Sequence, residues 1–115
     1  MPVPATLRVA AAIVAVEALV EAVAIAGRDE LTVGLRAMLI GFLSLKWVFA
    51  LRVLKLRPGP ALGLFLAEGT TVVAAAGATD AHPLARVALA ATAVTAIVLL
   101  ARSLHAFPTV ELPRP

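Results

Sequence analysis

The chain has 115 residues, of which 62% are hydrophobic, 15% are charged and none is cysteine, and its formal net charge is +3. A soluble domain has about 45–50% apolar and about 25% charged residues, so this composition excludes a soluble enzyme, a disordered chain and a disulfide scaffold. The mean hydropathy of +1.01 indicates an integral membrane protein instead.

Four apolar segments follow one another, each close to the ~20 residues that cross a hydrocarbon layer of ~30 Å. The predicted helices cover residues 5–27, 33–55, 60–78 and 83–102, followed by an irregular tail at 103–115. Because no water is available at that depth, backbone groups must bond within each segment, which favours helices over strands. We therefore expect one integral membrane domain, residues 1–115, with an all-α fold: a four-helix transmembrane bundle.

Charged side chains lie in the middle of three of these helices. Glu17 is at the centre of the first, Lys46 of the second and Glu68 of the third, while Glu21 lies one turn from Glu17, about 6 Å along the axis. A charge at this depth costs at least ~2.5–3.5 kcal/mol, so we expect these four groups to face one another or a wet cavity. The candidates for further polar lining are Thr71, Thr92 and Thr95.

Three interpretations of these charges remain open at the level of sequence. A buried glutamate–lysine pair can fix how helices pack against one another. A carboxyl group within the membrane can instead serve proton coupling or transport. One of the four groups can also pair with another subunit or another membrane protein.

Nothing in the sequence indicates an enzyme. His82 and His105 have no neighbouring ligands at metal-binding spacing, and without cysteine there is no thiolate site. No glycine-rich phosphate loop and no G-x-S-x-G motif occurs. We expect no catalytic residues, no metal and no cofactor, and we interpret His82 as the start of the fourth helix.

The basic residues predict an orientation. With the N-terminus inside, six of them lie on the inner side (Arg8, Arg52, Lys55, Arg57, Arg102, Arg114) and three on the outer side (Arg28, Arg36, Arg86). By the positive-inside rule this bias predicts that both termini are cytoplasmic. Because these residues are scattered at the ends of apolar runs, they indicate topology rather than a nucleic-acid partner.

A weak internal repeat is present. Arg36 and Arg52 recur fifty residues later as Arg86 and Arg102, and Glu17 recurs fifty-one residues later as Glu68. Two tandem helical hairpins, related by an axis along the membrane normal, would give this pattern. The alternative is that helices of similar length carry charges at similar ends.

The chain resembles two groups of small membrane proteins. Its composition and the stretch LRVAAAIVAVEALVEAVAIAG, from Leu7 to Gly27, resemble short uncharacterised four-helix integral membrane proteins of actinobacteria. That resemblance implies four helices in a bacterial inner membrane and no known activity.

The second resemblance is to the small multidrug resistance transporters, through Glu17 in AIVAVEALV. It implies a membrane-embedded glutamate that binds a proton or a cationic drug, within an antiparallel dimer. The chain departs from that pattern because it lacks tyrosine and adds Lys46 and Glu68. A lysine in the binding site would repel a cationic drug.

The sequence therefore predicts a non-enzymatic structural or accessory membrane protein with a buried Glu/Lys cluster. The alternative is a small proton-coupled transporter that uses Glu17 and Glu68. The lipid bilayer is the expected partner, and the oligomeric state, a homo-oligomer or a larger membrane complex, is left open.

Overall fold

The described part of the chain is a bundle of four helices. The computed structural model describes residues 3–77 and 82–107. The helices are α1 (Ala5–Ala26), α2 (Val33–Val53), α3 (Pro58–Gly77) and α4 (Pro83–Arg102), and a short 3-10 turn (Leu104–Ala106) follows α4. All four are long and apolar enough to cross a membrane, as predicted, and we treat the chain as a multi-pass membrane protein.

The helix ends differ from the predicted ones by one or two residues. Helix α3 begins at Pro58 rather than at residue 60, because prolines in the first turn of a helix lack only N–H groups that have no partner there. Helices α1 and α2 end at Ala26 and Val53, slightly before the predicted residues 27 and 55. Residue 78, the predicted end of the third helix, lies outside the described residues.

The first residues of the predicted irregular tail have a regular structure. Ser103 is fully buried and its hydroxyl lies 2.7 Å from the Thr6 hydroxyl, which joins the end of α4 to the start of α1. Leu104–Ala106 then form the 3-10 turn. The rest of the predicted tail, from residue 108 onward, lies outside the described residues.

The helices form a ring in which each packs against its two neighbours. Helix α1 contacts α2 and α4, and α3 contacts α2 and α4, whereas the described residues of the diagonal pairs make no close backbone contacts. Because successive helices are antiparallel, α1–α2 and α3–α4 are two hairpins placed side by side. We call the end of the bundle that holds the α1–α2 connection the loop end, and the opposite end the terminal end.

The two hairpins share most of their buried positions at a spacing of fifty residues. The buried residues of α2 are Leu43, Lys46, Ala50 and Val53, and those at the end of the second hairpin are Ala93, Ala96, Leu100 and Ser103. On α1 the buried residues Ala11, Val14, Glu17 and Ala18 match Ala61, Leu64, Ala67 and Glu68 on α3. The structure thus has a tandem repeat with one register throughout.

This register changes the predicted relation between the two glutamates. The residue equivalent to Glu17 is Ala67, and the residue equivalent to Glu68 is Ala18. Since a step of one residue turns a helix by about 100°, the two glutamates occupy neighbouring rather than equivalent positions of the repeat.

Two arginines at the loop end make equivalent contacts in the two hairpins. The Arg36 guanidinium donates to the carbonyl of Ala26 at 3.3 Å, and that of Arg86 donates to the carbonyls of Ala75 and Ala76 at 2.9 and 2.6 Å. Each arginine therefore satisfies carbonyls at the C-terminal end of the preceding helix, where positive charge is also favourable.

Packing is uneven along the bundle. A core of small and branched side chains fills the terminal half, with Leu7, Val53, Leu64 and Leu100 almost completely buried. In the loop half, none of the residues 19–26, 33–42 and 83–92 is buried, and on α3 residues 70–77 include two buried ones, Thr71 and Ala75. The helices are therefore held together mainly from the middle of the bundle to its terminal end.

Candidate functional site

The candidate functional site is a group of polar side chains around Lys46, near the middle of the bundle, where the apolar core of the terminal half ends. We call Glu17, Glu21, Lys46, Glu68 and Thr71 the Lys46 cluster. Lys46 is 1% exposed, Glu68 0% and Glu17 6%. The sequence predicted that the four charged groups converge, and the structure brings them together in one site.

One ammonium group contacts every other member of the cluster. Lys46 Nζ donates hydrogen bonds to Glu17 Oε1 at 2.5 Å and to Thr71 Oγ1 at 3.3 Å. It lies 2.9 Å from Glu68 Oε1 and 3.7 Å from Glu21 Oε1. A single side chain of α2 therefore contacts carboxylates on both α1 and α3.

Helical spacing explains why each helix supplies more than one polar group. Glu17 and Glu21 are four residues apart on α1, and Glu68 and Thr71 are three residues apart on α3, so each pair lies on one helix face. The Thr71 hydroxyl donates to the carbonyl of Ala67 at 3.0 Å, which leaves its oxygen free to accept from Lys46.

The charges of the cluster do not balance. One ammonium faces three carboxyl groups, and Glu17 Oε2 and Glu68 Oε2 are buried without a hydrogen-bond partner among the described residues. An unpaired buried carboxylate is costly in a medium without water. The cluster can therefore accept further positive charge, either as protons or as a cationic group.

The second hairpin supplies no counterpart to Lys46. The equivalent position on α4 is Ala96, which is also fully buried. The Lys46 cluster is thus built from residues of three helices, α1, α2 and α3, whereas Ala96 belongs to the apolar core.

A groove runs along the outside of the bundle between α1 and α4, and we call it the α1–α4 groove. It has a volume of about 670 Å³ and is lined mostly by apolar side chains, with Glu17 and Glu21 from α1 and Thr92 from α4 as its polar groups. The side chain of Glu21 is 21% exposed, so the Lys46 cluster is accessible from this groove.

The three threonines predicted as polar lining lie in different places. Thr71 belongs to the Lys46 cluster. Thr92 lines the α1–α4 groove and donates to the carbonyl of Ala88, and Thr95 is exposed and donates to the carbonyl of Ala91. Thr95 therefore takes no part in the cluster.

Sequence reasoning did not identify the groove. Its signal lies in the repeat: at three of the positions where α4 lines the groove, α4 has smaller residues than α2. The pairs are Leu35 and Ala85, Met38 and Ala88, and Phe42 and Thr92. Comparing the repeats at a spacing of fifty residues would have shown the difference in volume.

Within residues 3–77 and 82–107, no group of three His, Asp or Glu side chains is arranged to hold a metal ion. The Lys46 ammonium lies among the three carboxyl groups of its cluster, where a cation would have to bind. No family model, curated protein or solved structure matches the chain.

Proposed function

We propose that the protein is a non-enzymatic structural or accessory protein of the bacterial cytoplasmic membrane, in which the Lys46 cluster fixes how the two hairpins pack. The observation that carries this proposal is the position of Lys46 Nζ, 2.5 Å from a carboxylate of α1 and 2.9 Å from a carboxylate of α3. One side chain thus contacts both hairpins near the middle of the membrane-spanning helices, where the hydrocarbon offers a charge neither water nor a counter-ion.

The physics of helix association in lipid supports this role. Lipid chains are as apolar as leucine, so burying apolar surface between helices gains little, and close packing and polar contacts carry the association. Removing one partner of a buried ion pair leaves an uncompensated charge, at a cost of about 3–5 kcal/mol. The cluster therefore selects one arrangement of the two hairpins against others that the small side chains would allow.

The proposed orientation has both termini in the cytoplasm. The exposed basic residues at the terminal end include Arg8, Arg52, Lys55 and Arg102. At the loop end, Arg36 and Arg86 are engaged with helix carbonyls. Because the chain has no cysteine, Lys55→Cys and Arg28→Cys can be labelled singly in whole cells with a membrane-impermeant maleimide. We expect labelling at position 28 only. Labelling at position 55 alone would show that the termini lie on the outer side of the membrane and would contradict the proposed orientation.

The structural role is tested by Glu17→Gln in purified protein. We expect this variant to lower the unfolding temperature in detergent, because Lys46 loses its closest carboxylate, while proton flux into reconstituted liposomes stays at the level of empty liposomes for both proteins. Glu30→Gln, which removes an exposed carboxyl outside the helices, is the matched control. An unchanged unfolding temperature in Glu17→Gln would contradict the proposal.

A second candidate function is supported by the α1–α4 groove. Glu17 lines this groove and contacts Lys46, so a proton or substrate arriving from the groove would meet the cluster. In this alternative, which the resemblance to small multidrug transporters also favours, Glu17 and Glu68 are the proton-binding groups of a small transporter. A proton flux in liposomes that depends on an added solute and is lost in Glu17→Gln would establish transport and displace the accessory role.

A further inference from the structure

The α1–α4 groove differs from its counterpart in the repeat. The equivalent gap between α2 and α3 has a volume of about 200 Å³, against about 670 Å³ for the α1–α4 groove. Phe42 and Phe49 of α2 lie in that smaller gap, and the Phe49 ring packs directly on Gly63. The repeat thus fills one of its two inter-hairpin gaps and leaves the other open.

Two carboxyl groups reach the open groove. Glu17 is buried, and its Oε2 has no hydrogen-bond partner among the described residues. Glu21 is partly exposed, and its nearest cationic contact, 3.7 Å from Lys46 Nζ, is longer than a hydrogen bond. The groove therefore combines apolar walls with carboxyl oxygens that have no hydrogen-bond partner among the described residues, at the middle of a membrane-spanning helix.

We propose that the α1–α4 groove binds a transmembrane helix of another protein, and that this helix carries a lysine or arginine near its middle that pairs with Glu21 and Glu17. The proposal rests on the accessory role proposed above and names the chemistry of the partner. Ala24 and Ala88, which line the groove, are small enough for the backbone of another helix to approach closely.

The described helices of a second copy do not supply the required charge. Lys46 is buried within its own cluster, and Arg36 and Arg86 donate to carbonyls at the ends of α1 and α3. The other basic residues of the described helices, Arg8, Arg52 and Arg102, lie at the terminal end. Since no basic group of the described helices is free at the depth of the groove, the proposal assigns its charge complement to a different protein.

The test uses two synthetic transmembrane peptides of about 23 leucine and alanine residues, one with a central lysine and one with methionine at that position. Binding is measured by energy transfer from a dye on Leu104→Cys to a dye on the peptide. The vesicles consist of phosphatidylcholine and phosphatidylglycerol, so that no lipid carries a primary amine. We expect the lysine peptide to bind about tenfold more tightly than the methionine peptide.

Variants of the groove decide whether that preference comes from this site. Glu21→Gln is expected to remove the preference, and Ala24→Phe to weaken binding of both peptides by filling the groove. The controls are Glu30→Gln and Ala74→Phe; Ala74 is the exposed residue of α3 that matches Ala24 in the repeat. Equal binding of the two peptides to the unmodified protein, or a preference that survives Glu21→Gln, would overturn the proposal.

Two further outcomes are separable. If unlabelled protein displaces the lysine peptide and labelled copies of the protein transfer energy to one another, the groove binds a second copy and the proposal is overturned. In a separate measurement without peptide, the unfolding temperature of Lys46→Met is compared with that of the unmodified protein. A loss of stability there with no peptide preference overturns only the docking site, whereas a peptide preference with no loss of stability overturns the structural role of Lys46.

Discussion

Lys46 and Ala96 occupy equivalent positions in the two hairpins, and both are completely or almost completely buried, yet only Lys46 is charged. The first helices of the two hairpins also differ at equivalent positions, because Glu21 on α1 corresponds to Thr71 on α3. The two hairpins thus repeat in backbone and burial but not in charge. The ammonium of Lys46 contacts carboxyl groups from both hairpins.

This relation predicts that the ammonium can be moved across the bundle. Lys46→Met should lower the free energy of unfolding by about 3–5 kcal/mol, because it leaves buried carboxylates without a counter-charge. In Lys46→Met/Ala96→Lys, the new side chain starts from the equivalent point on α4, and the register of the repeat places it beside Glu21. We expect the double variant to recover about half of the loss, measured by unfolding in mixed micelles.

A matched double variant controls for the added lysine itself. Lys46→Met/Val94→Lys puts the lysine two residues away on the exposed surface of α4. It should recover nothing, because its ammonium points into lipid. Equal recovery in the two double variants would show that the position of the charge is unimportant.

Thr71 and Thr95 are expected to differ although both are central threonines. Thr71→Val should cost about 1–2 kcal/mol, because it removes the hydroxyl that accepts from Lys46. Thr95→Val should change stability by less than about 0.5 kcal/mol, since its hydroxyl bonds only within its own helix. Urea- or SDS-induced unfolding followed by circular dichroism measures both; similar values would argue against a role for Thr71 in the cluster.

Gly63 is predicted to be required by the packing of Phe49. A Cβ atom at this position would lie 2.7 Å from the Phe49 ring, which is closer than carbon atoms can approach. Gly63→Ala should therefore push the ring aside and destabilise the bundle by about 1–3 kcal/mol.

The control for this prediction is Gly69→Ala on the same helix, where no described atom lies within 4 Å of the added Cβ. That substitution should be neutral or stabilise by up to about 1 kcal/mol through helix propensity. Thermal unfolding of the two variants gives the comparison, and a neutral Gly63→Ala would contradict the close contact.

Arg86 should matter more than Arg36 for the helix that each contacts. Arg86 donates to two carbonyls of α3 at 2.9 and 2.6 Å, whereas Arg36 makes one bond of 3.3 Å to α1. We expect Arg86→Gln to cost about 1 kcal/mol and Arg36→Gln less. Amide exchange in the last turn of α3 should be faster in Arg86→Gln than in the unmodified protein. If this increase is no larger than the increase in the last turn of α1 in Arg36→Gln, the stronger role of Arg86 is contradicted.

The four helices and the meeting of Glu17, Lys46 and Glu68 could be predicted from sequence for one physical reason. Hydrocarbon satisfies neither backbone polar groups nor charges, so apolar segments must be helical and central charges must find one another. Even the approximate ends of the helices follow from length. Thr71 also follows in part, because it lies three residues from Glu68 on the same helix face.

Other features depend on how the hairpins sit against each other, which local sequence does not determine. Pairing the two glutamates gives a spacing of fifty-one residues, whereas the buried positions of the two hairpins repeat at fifty. The α1–α4 groove required knowing which faces of α2 and α4 meet a neighbour. The contact between Thr6 and Ser103 joins residues at opposite ends of the chain and was not visible in either segment.

The most direct test of the central claim is a double-mutant cycle between Lys46 on α2 and Glu68 on α3, measured as free energies of unfolding in the same micelles. Lys46→Met, Glu68→Gln and the double variant are compared with the unmodified protein. We predict a coupling of about 2–3 kcal/mol, because the second substitution removes a group that the first has already left unpaired. Effects that add to within about 0.5 kcal/mol would contradict the claim that this ion pair joins the two hairpins.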